Sequence, residues 1–156
     1  MLKFEKYHGA GNDFIIVHEK DLIEKGIPDY NELAAQICDR HFGIGADGLL
    51  ILKYVANMPF MFYYNSDGSQ APMCGNGIRC FSHYLRNNNI EMEDSFIVKT
   101  VPGDLRIEIS EDEENEEFIN IMYELKEAYI KRLKTYYKRY AHKITTYGYW
   151  ANRWKL

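Results

Sequence analysis

The sequence predicts an α+β domain, a mixed or antiparallel sheet with helices packed on it, followed by a long C-terminal helix. Three observations carry that reading. Short β-prone runs and helical patterns alternate in the order β-β-α-β-β-α-β-β up to about residue 110, with connections too short for an all-parallel sheet. The composition changes abruptly at residue 111. Beyond it, apolar residues recur at helical spacing, and no glycine or proline interrupts the stretch from Asp104 to Tyr147. The chain is therefore read as two parts, a lobe over residues 1–110 and a divergent helical, basic and aromatic tail over 111–156.

Residues 2–7 and 13–18 read as strands, and Phe14-Ile15-Ile16-Val17 is strongly β-prone. Between them, Gly9 to Asp13 is a tight turn. Pro28, the capping residue Asp29 and Glu32 three residues later open a helix over 29–41. Its apolar face is Leu33, Ala34, Ile37 and Cys38, and Gly43 and Gly45 stop it. Leu49 to Leu52 is a buried strand, and Pro59 to Tyr64 an aromatic one ending at the Asn65-Ser66-Asp67-Gly68 turn. Ile78, Phe81 and Leu85 lie on one face of a second helix. Residues 95–101 and 105–109 form a hairpin around Pro102-Gly103-Asp104. In the tail, Phe118, Ile121, Met122, Leu125, Tyr129, Leu133, Tyr136 and Tyr140 follow a helical period.

At 156 residues the chain is one domain or slightly more, large enough for a real core. A net charge of -4 gives no reason to expect nucleic acid or an anionic membrane as partner of the whole molecule. No apolar run approaches the ~18 residues a membrane span needs, and the first residues lack a secretion-signal pattern. Cys38, Cys74 and Cys80 contain no CxxC pair, which argues against a disulfide framework and a zinc site and for a reducing cytoplasm. From Lys126 onward the tail has nine Lys/Arg and one acid, mixed with aromatics. Such a mixture suits a nucleic acid or a membrane surface, but it more often covers a solvated helix face or a partner contact.

The segment Ala71-Pro72-Met73-Cys74-Gly75-Asn76-Gly77 carries the clearest chemistry. It places Cys74 at or just before a helix N-terminus, where the first backbone N–H groups have no intrahelical partner and favour an anion. Glycines there let the backbone approach a small ligand, and free N–H groups can hold its carboxylate. A cysteine is more often a small buried hydrophobe than a reactive group. Two further segments set this one apart: Asn65-Ser66-Asp67-Gly68-Ser69, and His8-Gly9-Ala10-Gly11-Asn12-Asp13-Phe14. In the latter, Asn12 either serves the turn or offers its amide, both donor and acceptor, to a ligand.

Four segments, in order, resemble the N-terminal lobe of the diaminopimelate epimerase family over residues 1 to about 110. They are Lys6 to Phe14, Arg40-His41-Phe42-Gly43-Ile44-Gly45-Ala46-Asp47-Gly48, Asn65 to Ser69, and Met73 to Cys80. The resemblance implies a lobe whose sheet wraps a central helix, in an enzyme of two similar lobes that needs neither pyridoxal phosphate nor metal. It implies two-base inversion of one α-carbon of diaminopimelate, in lysine and peptidoglycan-precursor synthesis. Cys74 matches one catalytic cysteine, Asn12 and Asn65 match residues that hold the substrate, and Gly75 and Asn76 match the backbone cradle of the α-carboxylate. Gly48 stands where some members carry glutamine.

The chain departs from the family after residue 110, where nothing resembles the second lobe, and no cysteine follows Cys80. Cys80 itself is expected in the core and not across a ligand from Cys74. Three readings stay open. The chain is an epimerase by ancestry acting on an amino acid, and a homodimer is compatible with it; or it is a truncated or frame-shifted inactive fragment; or it is a helical binding or assembly protein on an epimerase-like lobe.

Overall fold

The computed structural model describes residues 2–111 and 117–123. Its elements run β1 (Glu5–Gly9), β2 (Asn12–His18), α1 (Glu19–Glu24), α2 (Tyr30–Cys38), β3 (Gly48–Val55), β4 (Met58–Asn65), β5 (Gln70–Ala71), α3 (Gly75–Asn87), β6 (Ser95–Thr100), β7 (Asp104–Glu111) and β8 (Glu117–Tyr123). One mixed sheet has the order β1-β2-β3-β4-β6-β7-β8, with β5 paired to β4. The β2–β3 and β4–β6 neighbours are parallel, and the other pairs antiparallel.

The period-2 alternation of the central strands decides what covers each face. Phe14, Ile16, Leu50, Leu52 and Met61 pack with Ile78, Phe81 and Leu85 of α3. Their immediate neighbours Ile15, Val17, Leu49 and Ile51 pack on the other face with Leu22 of α1 and with Leu33, Ala34 and Cys38 of α2. Both faces are thus buried, which explains why β2 reads as a continuous apolar run.

Local chemistry sets the ends. The β1–β2 loop has two residues, Ala10 and Gly11, at φ 52° and 91°. Positive φ at both positions is the conformation whose twist suits a tight hairpin. Asp29 caps α2, its carboxylate accepting from Asn31 N and Glu32 N at 3.0 Å. The opposite end of α2 closes when the chain folds back on it. Gly43 N donates to Asp39 O, Ile44 N and Gly45 N to Ile37 O, and Ala46 N to Cys38 O. A Cβ at Gly43 would lie 2.3 Å from Gln36 O, so only glycine permits that approach.

The structure adds α1, capped by His18, and the short β5; the sequence reading had neither. It also corrects the C-terminal helix where it can be compared. Over Glu117–Tyr123 the chain is a strand, antiparallel to β7 from Glu111↔Glu117 to Leu105↔Tyr123. Phe118, Ile121 and Met122 fit a helical period, but an unpaired β7 edge offers a row of backbone partners. The sheet therefore runs past residue 110. The rest of the expected helix, from residue 124 on, lies outside the described residues. Among the described residues no helix is long and apolar enough to cross a membrane.

Candidate active site at the N-terminus of the core helix

Cys74 is the N-cap of α3. Its backbone is extended, at φ -137° and ψ 126°, and its Sγ accepts from Gly77 N at 3.4 Å. Sulfur thus occupies the place usually filled by a serine or aspartate oxygen. Ile78 N donates to Cys74 O at 2.9 Å, so the first turn closes directly behind it. The thiol lies close over Gly77, where a Cβ would meet Cys74 Cβ at 3.2 Å. At Gly75 a Cβ would meet nothing within 4 Å. The N–H groups of Gly75 and Asn76, which have no intrahelical acceptor, adjoin that open space.

The three thiols differ in setting. Cys74 is half-buried, whereas Cys38 and Cys80 are 2% and 3% exposed. Burial pushes both buried thiols up to about 11. Cys80 lies on the core face of α3, as the sequence reading expected.

Two loops converge on this helix end. The β1–β2 hairpin lies against its first turn: a Cβ at Gly9 would be 3.3 Å from Cys80 Sγ and 3.5 Å from Asn76 O. Gly9 pairs with Asn12, which brings the half-buried Asn12 to the edge of the same region. From the other side, Asn65 ends β4. Its Oδ1 accepts from the Tyr63 hydroxyl at 2.7 Å, and its Nδ2 donates to Ser69 Oγ at 2.9 Å. Burial first, then the neighbouring Cys74, push the Tyr63 phenol up to about 12. Tyr63 and Cys74 pack against the same core cluster, so Asn65 is bonded to a side chain on the thiol's side of the sheet. Cys74, Gly75 and Asn76 share one helix end, Asn65 reaches it through Tyr63, and Asn12 reaches it through Gly9.

A charge cluster holds the two loops. Arg40 grips Asp13 with both guanidinium nitrogens, at 2.6 and 3.1 Å, and reaches Asp47 at 2.8 Å. Lys6 Nζ lies 3.1 Å from Asp13 and donates to Gly45 O. Asp13 N donates to the Asp47 carboxylate and Asp47 N to that of Asp13. Ser66 N donates to Asp47 O, and Asn31 Nδ2 to Gly68 O. The hairpin that carries Asn12 and the turn that follows Asn65 are thereby tied to one framework. The sequence reading placed Lys6, Asp13, Arg40 and Asp47 in motifs without expecting them to pair, and it did not single out Asn31. It also overlooked Tyr63, whose two-residue spacing from Asn65 places both on one face of β4.

The Arg40 guanidinium holds the Asp13 carboxyl well below the usual carboxylate range. A depressed carboxyl contributes stability that is complete above its unfolded value, near pH 4, and is lost as pH falls through the lower folded value. The urea midpoint of the wild type is therefore expected to fall as the pH drops below about 4, where the Asp13 carboxyl takes up a proton in the unfolded chain but not yet in the folded one. The Asp13→Asn chain is expected to be less stable at neutral pH and to show a shallower fall. Parallel curves for the two chains would contradict this account.

Among the described residues, no group of three His, Cys, Asp or Glu side chains is placed to hold a metal ion. A groove of about 900 Å³ lined by Leu2, Phe4, Ile16, Tyr84, Asn88 and Ile90 opens at the opposite end of α3, away from Cys74.

The family model described as diaminopimelate epimerase matches residues 4–129. The diaminopimelate epimerase of Alkaliphilus metalliredigens is 45% identical over 115 residues, which cover 72% of this chain and 40% of that protein. That of Halothermothrix orenii is 47% identical over 111 residues, covering 69% and 38%. The chain thus spans about 40% of the length of these curated relatives. Among solved structures, a phenazine biosynthesis protein of the PhzF family from Bacillus anthracis superposes with a TM-score of 0.58 at 21% identity, over 77% of this chain and 38% of the other. That likeness concerns the fold alone. With the match running from the first strand beyond the seventh, and the relatives sharing nearly half of their aligned residues with it, this chain belongs to the diaminopimelate epimerase family.

Proposed function

We propose that the chain supplies one half of an epimerase site, with Cys74 as the base that removes the α-proton from one face of diaminopimelate. The observation that carries this is the position of the sulfur. It caps a helix, is half-buried beside open space at Gly75, and is the least enclosed of the three thiols.

In the step itself, the Cα–H bond breaks and its proton forms the S–H bond of Cys74. The electron pair stays on Cα and spreads into the adjacent carboxylate. Negative charge grows there, so donors fixed in advance stabilise it without reorganising. The N–H groups of Gly75 and Asn76 are suited to receive that carboxylate. Asn12 and Asn65 offer amides for the rest of the molecule. Inversion further requires a second acid on the opposite face, and this chain spans about 40% of the length of its curated relatives.

Half a site performs half the reaction. In heavy water the thiol exchanges its proton with solvent and returns a deuteron to the face it came from. The expected result with LL-diaminopimelate is deuterium at Cα without formation of the meso isomer, read by mass spectrometry and chiral chromatography. A rate equal to that of buffer would overturn the proposal for this chain.

A further inference from the structure

Gly48 and Tyr63 compete for one space. Gly48 opens β3 and stands opposite Asn65 in the ladder with β4. A Cβ at Gly48 would lie 2.6 Å from Cε2 of Tyr63 and 2.7 Å from Tyr64 O. The tyrosine ring therefore fills the room that a side chain at position 48 would need. It rests edge-on against Phe14, with centroids 6.1 Å apart and planes at 76°. From that seat its hydroxyl donates to Asn65 Oδ1 at 2.7 Å.

The remaining bonds fix the direction of the amide. Asn65 Nδ2 donates to Ser69 Oγ at 2.9 Å, and the Ser69 hydroxyl donates in turn to Asp67 Oδ1 at 2.6 Å. Asp67 also accepts from Ser69 N at 2.8 Å, and Asn65 N donates to Ser69 O at 2.8 Å. Every link has a defined sense. Ionised Asp67 only accepts, so Ser69 must give its proton to it and accept from Asn65. The Tyr63 hydroxyl, neutral throughout the physiological range, gives to the Asn65 carbonyl. Among the described residues, Asn65 Nδ2 makes one hydrogen bond, and an amide nitrogen carries two protons, so one N–H is left for a ligand.

We infer that Tyr63, seated in the space over Gly48, is a positioning residue that fixes the Asn65 amide, so that a ligand beside Cys74 meets an N–H donor there. This rests on the proposal that Asn65 belongs to the substrate site. A carboxylate on the ligand accepts from such a donor, whereas an ammonium group, which only donates, does not.

The test is a titration of the full chain, labelled with ¹⁵N-asparagine, followed by NMR. Wild type and Tyr63→Phe are compared with meso-diaminopimelate and with L-lysine, which lacks the distal carboxylate. The phenylalanine ring keeps the packing over Gly48 and removes only the hydroxyl. The wild type is expected to prefer diaminopimelate, and Tyr63→Phe is expected to lose about fivefold of that preference, the worth of one neutral hydrogen bond. Lysine affinity should change by less than about twofold, and the Asn65 side-chain signals should move in the variant before any ligand is added. A purely structural role would weaken both ligands alike. If the wild type discriminates and Tyr63→Phe discriminates equally, the inference falls and the proposed function stands. If the wild type binds neither ligand, the assignment of the site falls and the inference with it.

Discussion

Replacing Cys74 with alanine should slow α-deuteration of diaminopimelate by at least about 100-fold, because a positioned base contributes that much or more to a proton transfer. Neither remaining thiol can substitute. Cys38 packs between α2 and the opposite face of the sheet, and Cys80 is buried on the core side of α3. Both are held up at about 11 by burial, so they remain protonated near neutrality. Alanine also removes a helix cap, since Gly77 N donates to this sulfur. Cys74→Ser separates the two roles. A serine oxygen is a good N-cap, so the serine chain should fold at least as well as wild type. Its hydroxyl is a poor base near neutrality, so exchange should stay as low as in the alanine chain. Exchange near the wild-type rate in Cys74→Ser would show that the sulfur caps the helix and does no more.

Phe81→Ala should remove about 3–5 kcal/mol of folding free energy, the usual loss for a fully buried phenylalanine. Phe81 is 0% exposed and sits among Ile78, Leu85 and the β2–β4 residues of the α3 face. A domain of this size holds only about 5–15 kcal/mol in total. With a urea slope of roughly 1–3 kcal/mol per molar, the midpoint should fall by more than about 1 M. Much of the chain would then be unfolded at 37 °C, and the Cys74 cap would go with the helix it starts. A midpoint shift below about 0.3 M would mean that α3 is not the element that closes this core.

Local chemistry was legible before the structure. Asp29 could be read as a cap because its side chain serves N–H groups only two and three residues away. Cys74 could be placed at a helix start because proline, glycine and the Ile78–Phe81–Leu85 spacing all lie within fourteen residues. Non-local pairings were not legible. Arg40 meets Asp13 across 27 residues, and Asp13 meets Asp47 across 34. Nothing in the intervening chain announces such a meeting, which depends on the parallel pairing of β2 with β3. Residues 117–123 failed for a different reason. Phe118, Ile121 and Met122 satisfy a helical period, while Phe118, Asn120 and Met122 also share one side of a strand. The choice was made by the free edge of β7, which lies outside that window. Tyr63 was overlooked because its importance comes from what Gly48 lacks.

The burial of both sheet faces constrains how this lobe can change. In a sheet with one wet side, slipping a strand by a single position exposes grease and is punished by solvent. Here, shifting Phe14–Val17 by one would leave every side chain dry and instead trade the contents of two cores. Phenylalanine would be pressed towards Ala34 and the short helices, and isoleucine would leave a void beneath Phe81. The penalty would then be mismatched volume instead of wetting, and insertions or deletions are accordingly expected to be confined to the connecting turns.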